Sequence, residues 1–557
     1  MVRQQWRLQL GRIFLCLALT GCTSATSSRA LAPQPEPAIT VTSAPLPRAP
    51  SCTNTFRTHT LDHITQTATL PASLYESNGA GVAINDLDND GDQEIVLANL
   101  GAPSTIFWNE GGLRFRTERI AVDRARAVNI VDVDGDGWQD LVFTRRLDKP
   151  VYWRNSGQAG PDRFVAGVLP DVNNPFYSMN WGDLDGNGTL DLVAASYDTE
   201  LRKERGAIFD YQGGGVGVLL YRQQNGAFQS ERLDKEADAL TIALPDLNND
   251  GWLDILVGND FNRPDGIWLR TDDGWVADQP FHTTTENTMS FDLGDIDNNG
   301  TQEIFATDMK PISQEIEILA AWLPVMNKMT RPASSADPQF VENVLQMRGA
   351  DGRFDNRAYE RVIDATGWSW SSKFGDLNND GFLDIYVVNG MIDAGLLGHL
   401  PNNELVEPNL AFQNDGRGYF TPAPQWGLGS TASGRGMSMA DLDLDGDLDI
   451  VVNNLLSPAQ LFENQLCGGV GVAVDLRWPA SPNPYAIGAR LTLAASTGVY
   501  HRDVRAASGY LSGDPARVHF GLPATAQLQA LIVQWPDGAQ SVVTAIASQT
   551  LTTVQRE

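Results

Sequence analysis

The chain has 557 residues and carries 69 Asp and Glu against 40 Lys and Arg, a net charge of −29. That balance argues against a nucleic-acid partner, since a phosphate backbone needs a basic footprint. The six histidines (His59, His63, His282, His399, His501 and His519) are scattered without metal-ligand spacing, and no G-x-S-x-G elbow, P-loop or C-x-x-C is present, so no catalytic residue is assigned.

At the N-terminus, Arg3, Arg7 and Arg12 surround or precede a short apolar run from Ile13 to Leu19. The run is far below the ~20 residues that span a bilayer, so residues 1–21 read as a signal segment. It closes with Leu19-Thr20-Gly21-Cys22, which resembles a bacterial lipobox and implies a lipidated Cys22 after cleavage. Thr23 rather than Asp follows, resembling the outer-membrane signal of a two-membrane cell. The expected location is the cell envelope, lipid-anchored and facing outside the cytoplasm. Residues 23–50 are rich in Pro, Ser, Thr and Ala, and are expected to be a disordered tether reaching about 85 Å at ~3.1 Å per residue. Cys52 and Cys467 flank everything that repeats. In an oxidising exterior they are a candidate disulfide that would lock the seam of a closed ring.

Between them one phrase, D-x-[DN]-x-[DN]-G-x-x-[DE], occurs seven times, each followed by a β-type apolar run. Asp86, Asp132, Asp183, Asp246, Asp295, Asp376 and Asp441 hold position one. Position three is Asp88, Asp134, Asp185, Asn248, Asp297, Asn378 and Asp443; position five is Asp90, Asp136, Asn187, Asp250, Asn299, Asp380 and Asp445. Side chains so spaced can converge on Ca²⁺, which takes six to eight oxygens, and the Gly at position six permits the sharp turn. Position seven tolerates any side chain (Asp92, Trp138, Thr189, Trp252, Thr301, Phe382, Asp447), as suits a backbone-carbonyl ligand. Position nine returns a carboxylate: Glu94, Asp140, Asp191, Asp254, Glu303, Asp384 and Asp449. Up to seven Ca²⁺ are expected, with weaker binding at the Asn-containing loops three to six. The EF-hand reading fails, because position twelve is apolar throughout and the flanking runs are too short for helices.

The repeats start 46, 51, 63, 49, 81 and 65 residues apart, and the shorter spacings suit a four-stranded propeller blade of about 40–50 residues. Third-strand candidates include STIFWNEGG, PVYWRNSG, VLLYRQQNG, GIWLRTDDG and LAFQNDG. The last repeat ends one strand short after SPAQLFENQ, and CTNTFRTHTL can supply the missing strand and close the ring.

These repeats resemble the FG-GAP (VCBS-type) repeats of integrin α-subunit propellers. From about residue 469 the tail, with AIGARLTL, SGYLS, VHFGL and VQWPDG, resembles the ASPIC/UnbV domain of the cartilage acidic protein-like family. The resemblance implies an all-β fold: a seven-bladed β-propeller over 51–468, Ca²⁺ between the first two strands of each blade, then a small β-sandwich over 469–557. Insertions at about 199–216 and 308–360 break the spacing; the second holds the one clear helical periodicity, EIEILAAWLPVMNKM, and leads to Trp368 and Trp370. Both Trp, and His519 and Trp535 in the tail, are expected to pack rather than act. The functional expectation is a calcium-binding module for a surface polysaccharide or surface protein. The alternatives are an enzyme working in the propeller funnel and a purely structural assembly component.

Overall fold

A computed structural model describes residues 36–47, 52–160, 162–206, 215–261, 263–329 and 338–557. The expected signal segment and Cys22 lie outside them, as do parts of both insertions.

Each repeat builds one antiparallel sheet in which the acidic loop joins the first strand to the second. The first strands are buried on both faces and mix small or apolar residues with buried polar ones such as Arg126, Asn180, Asp292, Lys373 and Arg435: Val82–Asn85, Ala125–Val131, Ser178–Gly182, Ala239–Ala243, Ser290–Gly294, Gly367–Gly375 and Gly434–Ala440. They neighbour one another in that order, and the seventh returns to the first, so the sheets form a closed ring of seven blades. Closure is made as the sequence suggests. Arg57–Ile64 pairs antiparallel with Pro458–Glu463, with His59 opposite Leu461, and the Cys52–Cys467 disulfide lies beside this seam with its Cα atoms 5.1 Å apart.

The C-terminal domain is a sandwich of two four-stranded sheets. Here the tether expectation is corrected: Ile39–Pro45 is not disordered but pairs with Thr550–Arg556, placing Val41 opposite Val554. Its ITVTS pattern is β-branched and alternating, which suits a sheet edge despite the surrounding prolines. The second insertion also ends earlier than expected, because Val344–Arg348 and Phe354–Asn356 are the outer strands of the fifth blade.

One hairpin leaves the sandwich and enters the ring. Ala507–Ser508 and Ser512–Gly513 flank a turn that bonds to all seven blades. Ser512 Oγ accepts from Val82 N and Met437 N (3.4 and 3.1 Å), and Leu511 O accepts from Val128 N (3.3 Å). Asn180 Nδ2 donates to Ala507 O (3.2 Å) and Thr241 Oγ1 to Gly509 O (2.8 Å). Gly509 N donates to Phe291 O (2.7 Å), and Tyr510 N to Ser371 Oγ (3.2 Å). Gly509 sits at φ 69°, and a Cβ there would lie 2.7 Å from Ser371 Oγ, so only glycine fits. Tyr510 is fully buried on the ring axis, with its hydroxyl 2.6 Å from that of Tyr177. The hairpin is a plug, and it occupies the channel in which an enzyme site was one alternative.

The opposite mouth is covered by the insertions. Helix α1 (Asp198–Arg205) places Glu200 on buried Arg126 at 3.0 Å, and helix α2 (Ile316–Met329) buries Trp322 against Trp368, their rings 5.7 Å apart. Trp370 donates to Gly390 O at 2.7 Å, so both blade Trp pack as expected. Glu407 ties the helix down, accepting from Trp322 Nε1 (3.0 Å) and Trp368 N (2.7 Å).

Replacing both Cys52 and Cys467 by Ser is expected to cost about 2–4 kcal/mol in urea unfolding, since 415 residues are closed into a loop; an unchanged midpoint would contradict this. Burial lifts the Glu407 carboxyl from 4.5 to about 7. The folded chain therefore keeps a proton that the unfolded chain releases, a contribution full below pH 4.5 and lost as pH rises through about 7. Wild type should lose stability over that window relative to Glu407→Gln, measured as the difference in urea midpoints at pH 5 and pH 7.

Candidate metal centres

The seven loops share one hydrogen-bond scheme, dictated by the spacing of their acids. The position-one carboxylate accepts the N–H of the position-six glycine, from Gly91 on Asp86 (3.1 Å) and Gly137 on Asp132 (2.8 Å) through Gly300 on Asp295 (2.8 Å) to Gly446 on Asp441 (3.0 Å). Gly188, Gly251 and Gly381 do the same on Asp183, Asp246 and Asp376. Position-seven N–H groups donate to the position-five side chain: Asp92 to Asp90, Trp138 to Asp136, Thr189 to Asn187, Trp252 to Asp250, Thr301 to Asn299, Phe382 to Asp380 and Asp447 to Asp445. The peptide plane that joins residues six and seven is thus held in place in every loop.

The position-nine carboxylates are buried and do more than close the loop. One oxygen accepts the N–H of residue two, as Glu94 from Leu87 (2.7 Å) and Asp449 from Leu442 (3.1 Å). In blades one to four, six and seven the other oxygen accepts from the third strand, as Asp140 from Asn155 (2.7 Å) and Asp384 from Asn414 (2.9 Å).

In five loops three carboxylates each offer an oxygen within 4.8 Å of the others: Asp86/Asp88/Asp90, Asp132/Asp134/Asp136, Asp183/Asp185/Asp191, Asp295/Asp297/Glu303 and Asp441/Asp443/Asp445. In the fourth and sixth loops the position-three amides of Asn248 and Asn378 donate to Asp250 and Asp380 instead, each at 2.9 Å. Asn187 and Asn299 use their carbonyl oxygens to accept from residue seven.

The donor set fits a hard divalent cation. Asp86, Asp88, Asp297, Asp441 and Asp447 each keep one buried carboxylate oxygen with no hydrogen-bond partner, a costly arrangement unless a cation meets it. Burial, then crowding by neighbouring acids, lifts Asp191, Asp254 and Asp376 to about 7 and Glu94 to about 9, while Asp441 and Asp449 are held well above the carboxylate range. A bound cation removes that penalty.

Several structural residues of the loop face are absent from the acidic motif. Asn109, Asn155, Asn414 and Asn464 end third strands and donate to residue two of the preceding blade's loop: Leu442 O, Leu87 O, Ile296 O and Leu377 O, at 2.7–2.8 Å. Gln223 does the same to Val133 O at 2.9 Å. Their sequence signal is an amide just before the Gly-bearing turn in FWNEGG, YWRNSG, QQNG and FQNDG.

The same chain segments match known families. Residues 86–143, 132–194, 246–306 and 401–452 match the FG-GAP-like repeat, and 479–557 match the ASPIC and UnbV domain. The chain carries FG-GAP-like repeats followed by an ASPIC/UnbV domain. It is similar to cartilage acidic protein 1 of Xenopus tropicalis, 23% identical with 83% of this chain and 72% of that protein covered. The Mus musculus protein is likewise 23% identical, over 86% of this chain and 74% of its own length. A crystal structure of BBS1N in complex with ARL6DN covers 73% of this chain and 96% of its own at 10% identity and a TM-score of 0.40, a likeness too slight to build on. The repeated Asp-Gly scheme extends to loops four and six, beyond the tightest acid clusters.

Calcium at about ten times its Kd is expected to add ~1.4 kcal/mol per filled loop. The melting temperature should therefore rise in millimolar calcium and fall with chelator, and Asp443→Asn should reduce the rise; a melt indifferent to chelator would contradict this.

Proposed function

We propose that the protein is an extracytoplasmic interaction module, anchored through lipid at Cys22 and stiffened by Ca²⁺ in its FG-GAP loops. Loop affinities of order 10⁻⁴–10⁻³ M suit exterior calcium. The observation that carries this reading is the combination of seven carboxylate loops and a ring whose axis is filled by Tyr510 and its hairpin. A protein built this way offers its outer faces rather than a lumen, and loops on a rigid scaffold are where binding concentrates. The similarity to cartilage acidic protein 1 agrees with an extracellular interaction role.

The ligand class is a surface polysaccharide or a surface protein. The face carrying α2 favours protein: Ile316 is 80% exposed and Leu323 56%, while Trp322, between them, is buried. No helix among the described residues is long and apolar enough to cross a membrane, so the apolar side of α2 is not a span.

The test offers the protein lacking its first 35 residues to isolated envelope proteins and, separately, to surface glycans, with millimolar calcium and then with chelator. Saturable, calcium-dependent binding to protein that falls at least tenfold in Ile316→Lys/Leu323→Lys is expected. Binding to glycan alone, unaffected by those changes, would move the ligand to polysaccharide. No binding to either by folded, calcium-loaded protein would sink the module reading.

A further inference from the structure

The ASPIC/UnbV domain rests on the loop face of the ring, and one kind of atom recurs among its contacts there. Arg517 Nη2 donates to Gly91 O (3.0 Å), Tyr485 Oη to Gly137 O (2.9 Å), Arg490 Nη2 to Gly300 O (3.0 Å) and His519 Nε2 to Gly446 O (3.1 Å). These acceptors are the position-six glycines of the first, second, fifth and seventh loops (Gly91, Gly137, Gly300 and Gly446), far apart in the sequence yet presented to one domain. All four have positive φ (102°, 88°, 90° and 95°), a conformation that turns the carbonyl outward and that side chains resist. The loops of the third and fourth blades have no hydrogen bond to this domain among the described residues.

The chemistry of that glycine gives the contact its meaning. The carbonyl of residue six and the N–H of residue seven belong to one planar peptide. Its oxygen takes the donor from the C-terminal domain. Its N–H is held by the position-five side chain, as Trp138 N by Asp136 (3.0 Å) and Thr301 N by Asn299 (2.7 Å). The glycine's own N–H is held by the position-one aspartate, as Gly137 by Asp132 (2.8 Å). A cation drawing on positions one and five therefore orients the peptide that the domain grips, and a domain that grips it pre-orients those ligands. Arg517 is itself fixed by Asp475 at 3.0–3.1 Å, so it is not free to follow a displaced loop, and Tyr485 also reaches Asn89 Oδ1 of the first loop at 3.1 Å, bridging two loops.

We infer that Arg517, Tyr485, Arg490 and His519 are positioning residues of the metal loops, so that cation binding and seating of the C-terminal domain, with its axial plug, reinforce each other. This rests on reading the loops as cation sites. By linkage the effect is reciprocal: loosening the grip weakens the metal, and removing the metal loosens the plug.

Terbium tests it, because the position-seven tryptophans sit beside two loops of opposite kind: Trp138 in the second loop, which the domain grips, and Trp252 in the fourth, which it does not. The full chain is titrated with Tb³⁺, following tryptophan-sensitised emission in Trp252→Phe to report the second loop and in Trp138→Phe to report the fourth. Adding Tyr485→Phe, which deletes one donor and keeps the ring, should weaken Tb³⁺ about fivefold or more at the second loop and leave the fourth unchanged. Hydrogen exchange of wild type supplies a second reading: amides 507–513 should lose at least tenfold protection in chelator and regain it with calcium. Equal Tb³⁺ affinity with and without Tyr485→Phe, together with plug protection indifferent to calcium, would overturn the coupling alone. Absence of bound calcium in equilibrium dialysis of wild type would overturn the cation reading and the coupling with it.

Discussion

A buried carboxylate that must find partners on every side is the constraint on which this protein depends. The ninth residue of each acidic loop is such a group. Left alone in a low-dielectric interior it would cost several kcal/mol, and water cannot reach it. Its oxygens take backbone N–H groups from the start of its own loop and from the third strand of its own blade. The amide that ends this third strand then reaches across to the preceding loop. In blades one, two, three, six and seven, loop, blade and neighbour are thus joined by one polar chain, while the apolar faces of the strands fill the space between blades. Removing any one link leaves a buried polar atom unpaired, which is why the pattern recurs with so little variation in amide and acid.

The ring axis shows a second solution to the same accounting. First strands at the centre of a propeller expose edges toward the channel, and here their spare N–H and C=O groups are answered by a hairpin from another domain. The polar side chains that line the axis (Asn180, Thr241, Ser371, Ser438) are those needed to satisfy such a guest. Lys373 binds Ser508 and Asp514 at its base, and Arg505 links Asp514 to Asp292 of the fifth blade. Burial of these charges is tolerable because Lys373 and Arg505 each meet an acid. The two domains consequently share an interior and not merely a contact surface.

What was legible in the sequence was whatever local geometry dictates. The Asp spacing and the glycine at position six reveal each loop, and a β-branched run after the loop reveals the second strand. Third strands were readable where an aromatic and a Gly-bearing turn stood together, as in FWNEGG, and the closing strand was readable because the last blade came up one short. Val344–Arg348 was not, because a helix and its flanking segment separate it from Glu303–Thr307, although GADGRF after it repeats the Gly-bearing turn and aromatic of the other third strands. SGYLS was visible as a family mark, yet nothing in five residues says that seven distant strands close around them. Ile39–Pro45 was lost among prolines because its only partner lies more than five hundred residues away. Local chemistry is written locally; pairings between remote segments are not.

Among the described residues, the first two strands pair only with strands far along the chain: Ile39–Pro45 with Thr550–Arg556, and Arg57–Ile64 with Pro458–Glu463. During vectorial synthesis or export these segments emerge first and are the last to find their hydrogen bonds. For nearly the whole passage of the chain, two β-prone edges wait unpaired while six blades form behind them, the situation in which non-local topology slows folding and leaves strands open to foreign partners. Prolines around the first strand blunt its edge in the interval. The topology that pairs both of these strands in the finished molecule also leaves them the longest exposed.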